Sequence, residues 1–158
     1  MEHRRNWDAE RRIVETHAGS GRIALIAESY RQLTDRTLVP PGGALWDLPA
    51  VVVAHGTEPD PVFFYANRAA LTLFEFSADE FIRLPSRLSA VPLAREERTR
   101  MLAQVTSRGF IDDYAGVRTA RSGWGFRIER ATVWNLVDPK GSISGQAATF
   151  SRWHPLPD

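Results

Sequence analysis

Three extended stretches close the sequence, and they constrain the fold more than any other feature. Residues 110–121, 124–137 and 143–152 are rich in β-branched and aromatic residues, a composition typical of strands. Ser122-Gly123 separates the first two stretches, and Asp138-Pro139-Lys140-Gly141 separates the last two. Turn sequences of this kind join neighbouring antiparallel strands. The sequence therefore predicts an antiparallel sheet in its C-terminal third.

Two shorter strands and several helices precede this sheet. Residues 50–54 and 62–65 predict strands, because each is a short apolar run bounded by proline, glycine or turn residues. Asn67 then predicts a helix start, since its side-chain oxygen can accept from amides of a first helical turn. Residues 94–108 predict a longer helix. The order indicates an α+β fold in which helices cover one face of a five-stranded antiparallel sheet.

The first forty residues predict a helical extension. Residues 7–17 form a charged stretch, and the next helix carries an apolar face with spacings of three and four residues. That face consists of Ile23, Ile26, Tyr30 and Leu33. Two prolines and two glycines at 40–43 end the segment. We expect an extension and linker over 1–43, a domain over 44–153 and a tail over 154–158.

Composition excludes several kinds of chemistry. The chain contains no cysteine, which rules out disulfides, thiolate metal sites and a cysteine nucleophile. Twenty basic and nineteen acidic residues are interspersed, so we expect no nucleic-acid partner. No apolar stretch approaches the ~20 residues of a membrane helix, and the charged N-terminus is unlike a secretory signal. We therefore expect a cytoplasmic protein that does not bind membranes.

The four histidines are too dispersed to suggest a metal site. His3, His17, His55 and His154 show no spacing of three or four residues. His55, at the end of a predicted strand, could reach the interior of the fold, although a surface position is the more ordinary expectation. The adjacent Asp112 and Asp113 would point to opposite faces of a strand. We expect no metal site.

The order of elements and the local sequence resemble the PAS fold. In PAS domains a strand runs into an Asn-capped helix, as Phe63-Phe64-Tyr65-Ala66-Asn67 does here. Four stretches are similar to the MEKHLA domain, a PAS-related family: Tyr65-Ala66-Asn67-Arg68-Ala69-Ala70-Leu71 and residues 84–90, 109–114 and 127–136. That domain occurs in plant homeodomain–leucine-zipper transcription factors and in stand-alone bacterial proteins. The Met-Glu-Lys-His-Leu-Ala string that names the family is absent, as are a homeodomain and a zipper. The stand-alone bacterial type is therefore the closer comparison, and DNA binding is not implied.

The resemblance implies a pocket between the inner face of the sheet and the helices. Side chains alternate along a strand, so one parity of each strand would line this pocket. If the turn at 138–141 matches that of flavin-binding PAS domains, Arg127, Glu129, Ala131 and Val133 would face inward. The full set of predicted ligand-binding residues is Tyr65, Asn67, Phe74, Arg87, Arg127, Glu129, Val133, Gln146, Ala148 and Phe150.

Each of these residues also has a structural interpretation. Asn67 is more often a helix cap, and the aromatic residues are more often plain core. Arg127 and Glu129 could satisfy each other, because an unpaired buried charge is costly. Arg87 could form a surface salt bridge as readily as it could approach the pocket.

The opposite parity of the same strand is too apolar for open solvent. It comprises Phe126, Ile128, Thr132, Trp134 and Leu136. An exposed apolar patch of this kind usually marks a contact surface. The helix that carries Ile23, Ile26, Tyr30 and Leu33 is the expected cover, either within its own chain or across a homodimer.

Three hypotheses for function follow. The first is a PAS-like sensory module that binds a small molecule and dimerises. The second is a ligand-free dimerisation scaffold, and the third is a small enzyme that uses Glu129. The enzyme ranks last, because a paired Arg127 would lower rather than raise the pKa of that carboxylate. The identity of the ligand is unknown. Without cysteine no covalent flavin adduct can form, and haem is not expected because no histidine lies between Asn67 and Phe150. A ligand held without a covalent bond, such as flavin, is compatible with the sequence.

Overall fold

A computed structural model describes residues 5–90 and 92–157, apart from the side chains of residues 92–94 and 98. It contains helices α1 (Trp7–Ala18), α2 (Ser20–Thr34), α3 (Arg68–Phe74), α4 (Ala78–Phe81) and α5 (Pro92–Arg108), with short 3₁₀ turns at Leu45–Asp47 and Ser86–Ser89. The strands are β1 (Val51–His55), β2 (Phe63–Ala66), β3 (Phe110–Thr119), β4 (Gly125–Val137), β5 (Ile143–Phe150) and β6 (Arg152–Pro155). Residues 1–4 and 158 of the predicted extension and tail, including His3, lie outside the described residues.

The strands form one antiparallel sheet in the order β2-β1-β5-β4-β3. This confirms the predicted α+β fold. There is a sixth strand because the pairing of β5 with β1 ends at Phe150. After Ser151 the chain continues as β6, which pairs with β4. β6 therefore pairs with the part of β4 that a longer β5 would have paired with. It also reaches into the segment that we predicted to be a tail.

The two N-terminal helices cover the outer face of the sheet. Ile26 and Tyr30 of α2 are buried. The Trp134 indole Nε1 donates a 3.1 Å hydrogen bond to the Ile26 carbonyl, and its ring meets the Tyr30 ring edge to face, with centroids 4.9 Å apart. Ser29 accepts a 2.9 Å hydrogen bond from the Val137 backbone N–H. The amphipathic helix thus covers the outer face within its own chain.

Helices α3, α4 and α5 lie on the inner face. Ser77 and Glu80 form a reciprocal capping box at the start of α4, which fixes where this short helix begins. Helix α5 ends at Gly109, whose φ of +97° is a conformation that suits glycine at a helix terminus. Within the described residues no helix has the length and apolar character needed to cross a bilayer.

A β-bulge reverses the side-chain alternation in the middle of β4. Ile128 pairs with Gly116, and Ala131 pairs with Tyr114. The two β4 residues between Ile128 and Ala131 therefore lie opposite the one β3 residue between Gly116 and Tyr114. Arg130, at the bulge, has a φ of +51°. An extra residue in one strand moves the following side chains to the other face.

The predicted orientation of β4 is therefore wrong before the bulge and right after it. Phe126 and Ile128 are buried on the inner face, whereas Arg127 is exposed and Glu129 is half-buried at the surface. Beyond the bulge, Val133 and Ala131 face the helices. Trp134 and Leu136 are buried on the opposite side, where α2 packs.

Candidate functional site

A cavity of about 50 Å³ lies between the inner face of the sheet and the helices. Its apolar wall comes from β1, β2, β4 and β5 of the sheet and from helices α3 and α5. The apolar lining residues are Val53, Phe63, Phe74, Met101, Leu102, Ile128, Ala131, Val133, Ala147, Ala148 and Phe150. Five polar residues complete the wall: His55, Ser89, Tyr114, Arg118 and Gln146. An apolar pocket with a few convergent polar groups is the usual form of a small-molecule site.

Arg118 is a buried cation in the wall of this cavity. Only 7% of its surface is exposed. Its Nη1 donates to the Val117 carbonyl at 2.8 Å, and its Nη2 donates to the Tyr114 hydroxyl at 3.2 Å. The guanidinium carbon lies 5.3 Å from the centre of the Tyr114 ring. Arg118 and Tyr114 are four residues apart on β3, so the alternation of a strand places both on the inner face.

Gln146 connects the sheet to helix α5. Its Nε2 lies 3.1 Å from the Asn135 Oδ1, 3.1 Å from the Thr106 hydroxyl and 3.3 Å from the Leu102 carbonyl. Asn135 in turn donates to the Val105 carbonyl at 3.0 Å. Two amides from neighbouring strands thus hold the second half of α5 against the cavity. Buried polar networks of this kind fix one arrangement of the elements they join.

The two other polar groups in the wall come from β1 and from the turn at Ser86–Ser89. The His55 ring lies edge to face with Phe63, with centroids 6.5 Å apart, and its Nδ1 is 2.9 Å from the Gly56 carbonyl. Ser89 donates a 2.7 Å hydrogen bond to the Ser86 carbonyl. His55 is buried at 9% exposure, so the surface position that we preferred from the sequence is wrong.

Five predicted ligand-binding residues line the cavity, and five do not. Those that line it are Phe74, Val133, Gln146, Ala148 and Phe150. The structure brings them together from α3, β4 and β5, as the inner-face prediction requires. Whether they bind a ligand stays a prediction.

Tyr65 and Asn67 lie away from the cavity. Tyr65 pairs with Ala54 and Phe63 pairs with His55, so Phe64 is an extra residue that turns Tyr65 to the outer face. There its hydroxyl is buried and has no hydrogen-bond partner among the residues that the structure describes, and burial raises the pKa of the Tyr65 phenol. Asn67 is fully buried and makes four hydrogen bonds to the backbone, which makes it a structural residue.

The three predicted charged residues are on the surface. The Arg87 Nε lies 3.1 Å from an Asp60 carboxylate oxygen, and both side chains are about half exposed. Arg127 is exposed because of the bulge. Glu129 pairs with His154 of β6 at 2.9 Å, and this hydrogen bond lowers the pKa of the Glu129 carboxyl. The prediction that these charges face a pocket is wrong for all three.

Sequence analysis missed Tyr114 and Arg118, although a signal was present. From Tyr114 onward β3 alternates between a buried residue and a half-buried one, so Tyr114, Gly116 and Arg118 share one face. A tyrosine that faces inward at the start of this run would have implied an arginine that faces inward at its end. The unusual feature is a positively charged side chain on the buried face of an edge strand.

A separate open groove of about 610 Å³ lies at the surface between β6, α3 and the turn at Leu45–Asp47. Trp46, Trp124 and Trp153 contribute to its walls, and the last two are among the most exposed large apolar residues. The described part of the chain contains no group of three His, Asp or Glu side chains that could hold a metal ion.

Comparisons with known proteins agree with this architecture. The family model of the MEKHLA domain matches residues 20–155. A variant of the photoreceptor Vivid is 15% identical with a TM-score of 0.58, over 80% of this chain and 99% of its own. A PAS domain from Colwellia psychrerythraea is 15% identical with a TM-score of 0.56, over 65% of this chain and 85% of its own. The LOV domain of Aureochrome1 is 21% identical with a TM-score of 0.52, over 65% and 74%. These similarities establish the fold; no curated protein sequence matches this chain.

Proposed function

The chain belongs to the MEKHLA domain family, and from this premise we propose that it is a sensory module that binds a small molecule in its interior cavity and catalyses no reaction of its own. One observation carries the proposal: the cavity behind the sheet combines apolar walls with a buried arginine, a tyrosine hydroxyl and a glutamine amide. A ligand-free scaffold would be expected to fill this space with close-packed side chains.

Strand β4 is the element through which occupancy of the cavity would be transmitted. Ala131 and Val133 contact the cavity from one face of this strand. Trp134 contacts α2 from the other face, through its hydrogen bond to Ile26 and its ring contact with Tyr30. A ligand that displaces β4 would therefore change how α2 packs against the sheet. We propose that α1 and α2 carry the signal to a partner.

A flavin does not fit this cavity. About 50 Å³ corresponds to a few water molecules, since roughly 10–15 Å³ holds one, whereas a flavin carries a tricyclic ring system. The chain also lacks a cysteine that could form an adduct. The ligand that we propose is therefore much smaller than a flavin or a haem.

The position of Glu129 argues against the enzyme hypothesis. Glu129 lies on the surface beside His154, and the hydrogen bond from this histidine lowers the pKa of the carboxyl. A general base near neutral pH needs a raised pKa and a position beside the substrate. Glu129 has neither property.

Native mass spectrometry of the purified chain, together with thermal unfolding in a panel of small molecules, tests the proposal. A ligand at one hundred times its Kd stabilises by about 2.7 kcal/mol, which for this size raises Tm by roughly 5–10 °C. Ala148→Leu, which fills the cavity, is expected to abolish the shift. Ala115→Leu, at a half-buried position on the face of β3 opposite the cavity, adds the same atoms elsewhere and is the matched control.

The same measurements distinguish the sensory module from the ligand-free scaffold. If no small molecule is bound or raises Tm, and Ala148→Leu changes nothing but stability, the sensory proposal is wrong. Hydrogen exchange tests the route of the signal: the amides of α2 are expected to change protection when ligand binds, and unchanged protection there would contradict the role of β4.

Homodimerisation is a second part of the proposal. The outer face of the sheet is already covered by α2 of the same chain, so a dimer would form through the helical cover itself or through another surface. Sedimentation velocity over a wide range of concentrations tests this, and a monomer throughout would contradict it. The stand-alone bacterial type and the cytoplasmic location stay predictions from the sequence.

A further inference from the structure

The buried Arg118 lacks an anionic partner in the part of the chain that the structure describes. None of the ion pairs among residues 5–90 and 92–157 includes it. Arginine is seldom this deeply buried unless it is paired, because removing a charge from water is costly. The arginines that do form ion pairs, such as Arg36 with Asp112, are much more exposed.

The guanidinium also has hydrogen-bonding capacity to spare. It carries five N–H donors in a planar fork, of which one is donated to the Val117 carbonyl and one to the Tyr114 hydroxyl. The remaining donors have no acceptor among the described residues. The Tyr114 oxygen accepts from Arg118, so its own proton is available to a further acceptor. Arg118 and Tyr114 both line the cavity.

We propose that the cavity binds a small monocarboxylate, of the size of acetate or propionate, with its carboxylate on Arg118 and Tyr114. This inference rests on the proposed sensory function and specifies its ligand class. A carboxylate matches the planar fork of an arginine, since its two oxygens accept parallel hydrogen bonds. The Tyr114 hydroxyl would donate a further hydrogen bond to the same group.

Size and wall chemistry favour a short-chain carboxylate over a larger acid or an inorganic anion. The volume of about 50 Å³ holds only a few heavy atoms. The wall away from Arg118 is apolar and includes Val133, Ala148 and Phe150. A short alkyl group would bury its surface there, whereas chloride or nitrate would leave that wall without a partner.

Calorimetric titration of the full chain with sodium propionate tests the assignment. Propionamide, which has the same shape without the charge, and sodium chloride at matched ionic strength are the comparison probes. Arg118→Met is expected to weaken propionate binding by about tenfold or more, because a charge-assisted hydrogen bond is lost. Tyr114→Phe is expected to weaken it several-fold. Arg127→Met, on the adjacent strand but exposed, is the matched control and should bind as the wild type does.

Each outcome decides between the proposals. Propionamide binding equal to that of propionate, or binding unaffected by Arg118→Met, would overturn the carboxylate assignment and leave the sensory function standing. Displacement of propionate by equimolar chloride would show only an adventitious anion site and would also overturn it. If neither the charged nor the neutral probes bind, and no other small molecule does, both proposals fail.

A second readout covers the possibility that Arg118→Met does not fold. The Nε–H resonance of Arg118 in the wild-type protein is expected to move downfield when propionate, but not propionamide, is added. Tyr114→Phe removes one oxygen only and should fold. An Arg118 resonance that is unchanged at saturating propionate would contradict the proposal.

Discussion

Asn67 is expected to be the most important single polar side chain for the stability of the fold. It is fully buried where β2 enters α3. Its Oδ1 accepts from the N–H groups of Ala70 and Val52, at 3.1 and 3.0 Å. Its Nδ2 donates to the carbonyls of Ala50 and Leu45, at 2.8 and 3.1 Å. One amide therefore caps a helix and also joins that helix to β1 and to the turn before it.

The effect of Asn67→Ala follows from these four hydrogen bonds. Loss of a helix cap costs about 1 kcal/mol. The buried Val52 N–H would be left without its acceptor, at about 1–3 kcal/mol, and each lost bond to a carbonyl adds about 1 kcal/mol. We expect the free energy of unfolding to fall by about 4–6 kcal/mol. This is a large share of the stability of a typical domain, which is about 5–15 kcal/mol.

Asn6 offers a matched control. Its side chain caps α1 with the same geometry, accepting from the Ala9 N–H at 3.1 Å, but it makes no bond to the sheet. Urea unfolding should give a loss of only about 1 kcal/mol for Asn6→Ala. Asn67→Asp keeps both accepted bonds and places an anion against the two carbonyls. We expect it to be nearly as harmful as Asn67→Ala.

Two results would refute this reasoning. Equal losses for Asn67→Ala and Asn6→Ala, within about 1 kcal/mol, would mean that Asn67 acts only as a cap. A tolerated Asn67→Asp would mean that the two donated bonds to Ala50 and Leu45 contribute little.

Three further predictions concern groups outside the cavity. Tyr65→Phe removes a buried hydroxyl that has no hydrogen-bond partner in the described part of the chain and should raise the free energy of unfolding by about 1 kcal/mol in urea; a fall in this free energy would contradict the prediction. Arg130→Val places a β-branched residue at a φ of +51° and should cost about 1–2 kcal/mol, whereas Arg127→Val in the same strand should be nearly neutral. The Ser77 backbone N–H lowers the pKa of Glu80 below its usual 4.5. Because the folded pKa lies below the unfolded one, the ionised carboxyl stabilises the fold at higher pH, and this contribution is lost as pH falls through the folded pKa. Glu80→Gln should therefore lose less stability than the wild type as pH falls below the usual 4.5; an unchanged acid profile would contradict this.

The order of the elements, apart from the separate strand β6, could be predicted because each has a local signal. The turn sequences before Phe63, after Arg121 and after Val137 mark the ends of strands, and Asn67 marks a helix start. These signals depend only on residues close together in the chain. The amphipathic face of α2 was equally visible, but its position on its own sheet depends on long-range contacts such as the one between Ile26 and Trp134.

The cavity could be predicted only in part, because its lining depends on register. Phe150, Ala148 and Gln146 were identified correctly, since β5 pairs regularly with β1 through all five residues of that strand. Arg118 was missed because β3 is an edge strand, where a charged residue normally faces solvent. Tyr65 was misplaced because the register of β2 shifts at Phe64.

Both errors of orientation have the same physical origin. Alternation is a local rule, and one extra residue reverses it for the remainder of the strand. The bulge at Arg130 of β4 lies opposite Ser151, where β5 ends and β6 begins, so the two irregularities are side by side in the sheet. Bulges bend a strand and increase its twist. The extra residue in β4 leaves Arg127 and Glu129 on the surface, and Arg118 is the only arginine among the residues that line the described cavity. A regular β4 would have placed Arg127 and Glu129 together inside, where they could pair, whereas the bulged strand leaves a single buried cation for which the described residues supply no ion-pair partner.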